Sequence, residues 1–185
     1  DTAIQTKPDL VVHAGDLFDS DRPTNRAITV AIHELLRLSK EGIPFVVISG
    51  NHETPKLKET GSIFSIFEHI ENIYPIHNNR YEKLEFNANG KTLTLHAIPQ
   101  CQTPKEFDEN LKNIAVNTKS DYNVLLAHGA VVGIKEFKMN EFNELFIPVN
   151  RLKDEFDYIA LGHYHTHTVL QKNALYAGST EHFSF

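Results

Sequence analysis

The chain has 185 residues, the size of one compact domain, and its 41% hydrophobic and 23% charged composition excludes collagen-like, disordered and membrane-spanning chains. The net charge of −6, from 24 acidic and 18 basic side chains, argues against a protein that holds nucleic acid by bulk electrostatics, so any such contact must depend on local cations. The single cysteine, Cys101, allows no internal disulfide, and we therefore expect a cytoplasmic rather than a secreted protein.

Short apolar runs alternate with helical patterns in the first half of the chain, as in βαβ units, and this predicts an α/β fold. Buried strands are predicted at residues 10–13 and 45–48, with a helix over residues 24–40 between them. A second helix is predicted over residues 62–71 and a short strand over residues 74–76.

The middle of the chain contains a hairpin signal. Asn89-Gly90 separates two apolar runs, residues 81–86 and 91–98, and this dipeptide is typical of a tight turn between antiparallel strands. The sheet is therefore expected to be mixed. The remaining predicted elements are a helix over 104–117 and strands over 122–127, 158–161, 168–170 and 174–176.

Four of the predicted strands end in a turn that carries a side chain able to bind a metal ion. In chain order these side chains are Asp16, Asn51 with His52, His128, and His163 with His165. In open α/β sheets, ligands bind beyond the carboxyl ends of the strands, so residues far apart in sequence can converge there. A glycine stands beside each of them, at Gly15, Gly50, Gly129 and Gly162, and can allow tight turns and close backbone approach.

This set of donor atoms indicates a particular chemistry. Imidazole, carboxylate and amide oxygen suit Mn²⁺, Fe²⁺ or Zn²⁺, and no cysteine cluster competes with them. Two such ions about 3.5 to 4 Å apart can clamp a phosphate and activate an attacking water. Asp16 can bridge both ions, and His52, next to Asn51, is well placed to protonate the leaving oxygen. Asp19, Asp21 and Glu53 are expected nearby as acids that do not bind metal.

The motifs carry a family resemblance. GD at 15–16, GNHE at 50–53, HG at 128–129 and GHYH at 162–165 resemble, in order and spacing, the calcineurin-like metallophosphoesterase superfamily. More narrowly, HAGDLFD followed by Arg22-Pro23, and AGSTEHFSF at the end, resemble the SbcD-type subunit of the nuclease and ATPase complex that processes DNA double-strand breaks. The resemblance implies a two-sheet sandwich flanked by helices, with residues 1–185 forming one metallophosphoesterase domain.

The resemblance also implies a role for each site residue. Asp16 becomes the bridging ligand, Asn51, His128 and His163 the other ligands of one metal, His165 a ligand of the second, and His52 the catalytic residue. It further implies two Mn²⁺ ions per subunit, DNA as substrate, a coiled-coil ATPase partner and a location wherever the DNA is, without identifying the DNA-contact residues.

One family motif has no counterpart here. The first motif of the superfamily, an Asp and a His two residues apart on the first strand, is absent from the chain. Since the sequence opens at Asp1 in what reads as the end of a helix, we expect a fragment truncated at its N-terminus that also lacks the downstream capping region. One metal site should then fill more readily than the other.

The sequence is also compatible with two alternative functions, and it predicts a homodimer. The chain could be another metallophosphoesterase acting on a nucleotide or small phosphodiester, or a binding module that kept the fold without the chemistry. The helices over 24–40 and 62–71 carry more apolar residues than one buried face requires, including Phe64, and this predicts a homodimer built on them.

Overall fold

The computed structural model describes residues 1–133 and 144–180. Within these ranges the helices are α1 (Thr2–Thr6), α2 (Asn25–Lys40) and α3 (Pro104–Lys112), with 3₁₀ helices at Lys58–Thr60, Ile63–Phe67 and Val149–Arg151. In the described part of the chain, no helix has both the length and the apolar composition that crossing a membrane requires. Residues 181–185, which complete the AGSTEHFSF motif, lie outside the described residues.

The strands in chain order are β1 (Val11–His13), β2 (Phe45–Ile48), β3 (Ile73–Ile76), β4 (Glu82–Ala88), β5 (Lys91–Ile98), β6 (Tyr122–His128), β7 (Ala130–Val132), β8 (Phe146–Pro148), β9 (Tyr158–Gly162), β10 (Thr168–Gln171) and β11 (Ala174–Tyr176). The first three form a parallel sheet in the order β1-β2-β3. A six-stranded sheet has the order β10-β11-β9-β6-β5-β4 and is parallel at its centre and antiparallel at both edges. The mixed α/β prediction is confirmed.

The two sheets stack face to face between helices. Successive residues of a strand point to opposite sides, so Val46 and Ile48 of β2 pack against Leu95 of β5 between the sheets. Phe45 and Val47 of β2 point the other way, into a cluster covered by α2 and the 3₁₀ helix at Ile63–Phe67. On the far side, α3 covers the outer face of the six-stranded sheet. The sandwich flanked by helices is therefore as predicted.

The predicted helix over 62–71 is wrong in type and length, because the structure has a 3₁₀ helix at Ile63–Phe67. Ser62 caps it by accepting a hydrogen bond from the Phe64 N–H at 3.2 Å. Phe64 and Phe67 are both fully buried, and residues three apart lie on the same side of a 3₁₀ helix. Burial of this aromatic pair against the sheet favours the tighter helix.

Two further differences concern the second half of the chain. The helix predicted over 104–117 ends at Lys112, and further along the chain the backbone N–H of Asn117 donates to Oδ1 of Asn123 at 2.7 Å and not to a helical carbonyl. The parallel pair of β7 and β8 was not predicted. This pair follows directly after the end of β6 and therefore lies next to His128.

Candidate metal centre

The predicted site residues meet at the carboxyl ends of four strands. Asp16 follows β1, Asn51 follows β2, His128 is the last residue of β6, and His163 follows β9. Ligand atoms of Asp16, His128 and His163 lie within 4.8 Å of one another, although these residues span most of the chain. The convergence expected from the sequence is therefore present for these three residues.

The amide oxygen of Asn51 joins this group. Its Oδ1 atom lies 2.9 Å from Nε2 of His128 and 3.2 Å from Nδ1 of His163. His128 Nε2 also lies 3.2 Å from Oδ2 of Asp16. Four donor atoms from four strand ends therefore face one small volume, and they comprise one carboxylate, one amide oxygen and two imidazoles. Such a set suits a divalent transition metal such as Mn²⁺, Fe²⁺ or Zn²⁺.

A backbone carbonyl fixes the orientation of the His128 ring. Its Nδ1 lies 2.6 Å from the carbonyl oxygen of Ala14, which can only accept a hydrogen bond, so Nδ1 carries a hydrogen and Nε2 faces the site. A metal-binding histidine typically donates its other ring N–H to such a group. His128 is therefore oriented as a ligand.

The charges of Asp16 and His128 stabilise each other. Burial alone would raise the pKa of Asp16, but the charge and hydrogen bond of His128, with the N–H of His52, hold that pKa well below its usual range. Burial alone would lower the pKa of His128, and Asp16 reverses this and raises it. A bound cation would take the place of the proton between them.

Two glycines leave the room that the site requires. A Cβ atom at Gly15, where φ is +92°, would collide with the His128 ring. At Gly50 it would collide with the Asp16 carboxylate and backbone. Only glycine therefore permits this approach of β1, β2 and β6, and the residues present fit a divalent metal ion.

Glu53 ties two of the converging loops together. It is fully buried, and its Oε1 atom accepts hydrogen bonds from the backbone N–H groups of Asp16 at 3.0 Å and Gly50 at 2.9 Å. Burial, with the nearby charge of Asp16, raises the pKa of Glu53 to about 8. Its position matches the expectation of an acid beside the site.

His52 borders the site while remaining accessible. Its backbone N–H donates to Oδ1 of Asp16 at 3.2 Å, and its ring Nδ1 lies 3.2 Å from Oδ1 of Asp19. The His52 side chain is 29% exposed, compared with 1% for His128. The His52 side chain is therefore accessible from solvent at the edge of the site.

Two other histidines near the strand ends do not belong to the group formed by Asp16, His128 and His163. His165 is exposed and lies outside the group of Asp16, His128 and His163. His13 lies at the end of β1, and its Nδ1 is buried without a hydrogen-bond partner among the described residues. Burial lowers the pKa of His13 to about 4. By contrast, His96 of β5 is a buried histidine with hydrogen-bond partners, since its ring nitrogens lie 2.7 Å from the Tyr81 hydroxyl and 3.0 Å from Oδ1 of Asn123.

Sequence reasoning missed Glu144. Its Oε1 lies 2.9 Å from Nε2 of His163, and its side chain is only 10% exposed. Glu144 belongs to no motif and precedes His163 by 19 residues, so only the position of β8 reveals the contact.

Comparison with known proteins places the chain among related sequences. A family model described as calcineurin-like phosphoesterase matches residues 1–167. The chain is 32% identical over 187 residues to the DNA double-strand break repair protein Mre11 of Methanococcus maripaludis, covering 98% of this chain and 48% of that protein. It is 35% identical to the protein of the same name from Sulfurisphaera tokodaii, covering 92% of this chain and 42% of that protein.

A third relative of the same name, from Saccharolobus solfataricus, is 34% identical over 166 residues, which cover 90% of this chain and 41% of that protein. The chain thus spans less than half the length of these curated relatives. The family match covers the strand ends that carry Asp16, Asn51, His128 and His163. The chain therefore belongs to the calcineurin-like phosphoesterase family.

Proposed function

We propose that this chain is the phosphoesterase core of a metal-dependent DNA nuclease that acts in double-strand break repair. The observation that carries the proposal is the meeting of Asp16, Asn51, His128 and His163 around one volume, with an accessible His52 at its edge. The similarity to DNA double-strand break repair proteins named Mre11 supports DNA as the substrate.

Each residue has a role that follows from its atoms. His128 Nε2, His163 Nδ1, Asn51 Oδ1 and the Asp16 carboxylate would hold one divalent ion. When bound, divalent ions would offset negative charge on the phosphate and lower the pKa of a water molecule. The Asp16 carboxylate has two oxygens and would also be available to a second ion, for which His165 would be a further ligand.

His52 would act as the general acid for the leaving oxygen. Its ring is partly exposed, and Asp19 at 3.2 Å from Nδ1 favours the orientation in which Nε2 points away from that carboxylate. The hydrogen bond from the His52 backbone N–H to Asp16 fixes the position of His52 relative to the metal-binding residues. A proton held on this ring can then reach the oxygen that departs from phosphorus.

The remaining parts of the proposal concern the whole protein. We propose two Mn²⁺ ions per subunit, because the mixed oxygen and nitrogen donors suit that ion. We also propose a homodimer, a coiled-coil ATPase partner and a location with the DNA. Residues 1–185 would form a single nuclease domain to which upstream and downstream segments of a longer protein add.

The test is nuclease activity of the full-length protein with its ATPase partner, measured with Mn²⁺ on single-stranded and duplex DNA. His52→Ala should lower turnover by about 10² to 10⁴-fold, as expected for a lost general acid, with metal content unchanged. His128→Ala should instead lose metal. His69→Ala serves as the control, since His69 is exposed and outside the site, and it should behave as wild type.

The alternatives give different results in the same assay. Hydrolysis of a small chromogenic phosphodiester with DNA untouched would favour a nucleotide phosphodiesterase. DNA binding without hydrolysis of either substrate, at saturating Mn²⁺, would favour a binding module. An unchanged rate in His52→Ala when chemistry is rate-limiting would overturn the assignment of the acid.

A further inference from the structure

The second nitrogen of His163 has a charged partner that the metal chemistry described above does not use. Glu144 Oε1 lies 2.9 Å from Nε2 of His163, and the two side chains are 10% and 1% exposed. The opposite ring nitrogen, Nδ1, lies 3.2 Å from Oδ1 of Asn51. One imidazole therefore joins a buried carboxylate on one edge to the candidate metal centre on the other.

The chemistry of the two edges determines which nitrogen can bind a cation. An ionised carboxylate only accepts hydrogen bonds, so the hydrogen beside Glu144 resides on Nε2 of His163. Nδ1 faces the oxygen of Asn51, which also faces His128 Nε2 at 2.9 Å. A cation among these three atoms would be bound by electron pairs from both nitrogens and the oxygen, once His128 Nε2 has released the proton that it shares with Asp16.

His128 has the same arrangement with a different acceptor. Its outward nitrogen, Nδ1, donates to the backbone carbonyl of Ala14 at 2.6 Å, and its inward nitrogen faces the site. His163 has the Glu144 carboxylate in place of that carbonyl. A carboxylate acceptor orients the ring and also makes the inward nitrogen more basic.

The fold holds Glu144 firmly at this position. The next residue, Leu145, is buried, and its carbonyl accepts the N–H of Ala130 at 2.8 Å. β8 then pairs with β7, which begins two residues after His128. The β7–β8 pair, which follows His128 in the chain, thus places the Glu144 carboxylate against His163.

We propose that Glu144 is a positioning residue that fixes the ring of His163 with its hydrogen on Nε2, so that Nδ1 is presented to the metal ion. This inference rests on the proposed metal centre. Glu144 acts through His163 and does not touch the ion. A carboxylate that is only 10% exposed favours a hydrogen-bonding partner, and within the described residues His163 provides one.

The test compares Glu144→Ala with Glu144→Gln in the full-length protein. Titration calorimetry of the metal-stripped proteins with Zn²⁺ and with Mn²⁺ measures affinity, and thermal unfolding of the same metal-free samples measures stability. Glu144→Ala should weaken affinity about 10 to 100-fold, as for other lost partners of metal-bound histidines. Glu144→Gln keeps an oxygen acceptor and should recover most of that loss.

A spectroscopic signature separates positioning from a structural role. In the Zn²⁺-loaded protein labelled with ¹⁵N-histidine, the Nε2–H signal of His163 should be protected from solvent exchange in wild type and Glu144→Gln, and lost in Glu144→Ala. The control is Glu68→Ala, which removes a glutamate 2.9 Å from His77 Nε2, a pair of the same length outside the site. It should leave metal affinity unchanged.

The outcomes distinguish the two proposals. A wild-type protein that binds neither ion would overturn the metal centre itself. A wild type that binds while Glu144→Ala binds equally well, with its Nε2–H signal intact, would overturn only the role of Glu144. Equal loss of affinity in Glu144→Ala and Glu144→Gln would also contradict it, because that result indicates a direct carboxylate ligand.

Discussion

At the residue scale, three of the candidate metal-binding residues are each positioned by a hydrogen bond on the side that faces away from the site. His128 is backed by the Ala14 carbonyl, His163 by Glu144, and Asp16 by its N–H bond to Glu53. Asp16 also adopts a left-handed backbone with φ of +56°, which aspartate tolerates better than most residues. The donors are thus positioned by the folded chain before any ion binds, which lowers the cost of assembling the site.

Burial of His13 predicts a pH-dependent stability. Its folded-state pKa of about 4 lies below the ordinary value of 6.5, so the unfolded chain binds more protons between these values. The free energy of unfolding should therefore fall as the pH falls from 6.5 to 4, by up to about 3 kcal/mol from this residue. His13→Leu, which cannot titrate, should show a shallower decline.

The measurement is urea unfolding of the metal-free full-length protein at several pH values. The difference in slope between wild type and His13→Leu isolates the contribution of His13 from those of the carboxylates. His33→Leu is the control, because the side chain of His33 is 71% exposed. Parallel profiles for wild type and His13→Leu would contradict a buried neutral His13.

At the element scale, the sequence predicts where strands end more accurately than it predicts whether a helix is an α-helix or a 3₁₀ helix. The apolar runs that became β1, β2, β6 and β9 each end in a polar turn, so their order and the convergence of Asp16, Asn51, His128 and His163 could be inferred from sequence. The 3₁₀ helix at Ile63–Phe67 could not, since burial of its aromatic side chains outweighs local helix propensity. Glu144 could not be found because it depends on the pairing of β8 with β7, which no local pattern predicts.

Tyr176 links two of these elements beside the site. From β11, its hydroxyl donates to the carbonyl of Gly129 and accepts from the N–H of Val131, both at 2.8 Å, and the residue is fully buried. Tyr176→Phe leaves both backbone groups without this partner and should lower the free energy of unfolding by about 1 to 3 kcal/mol.

Chemical denaturation of the full-length protein checks this value. Tyr122→Phe is the matched control, since its hydroxyl accepts from Lys91 at an exposed position, and its loss should cost less than about 0.5 kcal/mol. Equal stability of Tyr176→Phe and wild type would show that this hydroxyl does not hold the turn after β6.

At the scale of the whole molecule, the proposed dimer can still use the two helices predicted from the sequence, but it cannot use Phe64. Phe64 and Phe67 are fully buried between the 3₁₀ helix and the three-stranded sheet, so they cannot face a partner. The exposed apolar residues on that side are Val30 and Leu36 of α2, at 56% and 41%, and Ile66, at 40%. Because α2 and the 3₁₀ helix cover the same sheet, we expect these three to form the contact.

Sedimentation of the full-length protein at micromolar concentration tests the dimer. Wild type should sediment as a dimer, and Leu36→Glu combined with Ile66→Glu should sediment as a monomer with unchanged helix content. Val169→Glu is the control, because Val169 is 64% exposed on β10 at the far edge of the other sheet. A monomeric wild type would contradict the dimer, as would a double variant that remains dimeric.

Four strand ends, which carry Asp16, Asn51, His128 and His163, are proposed to assemble one divalent metal site. Crystals of the full-length protein grown with Mn²⁺ would show the ion directly in an anomalous difference map collected at the manganese edge. We expect a peak at coordination distance from Asp16, Asn51 Oδ1, His128 Nε2 and His163 Nδ1. A map with no peak among these atoms at saturating Mn²⁺, or with its peaks only at other residues, would contradict it.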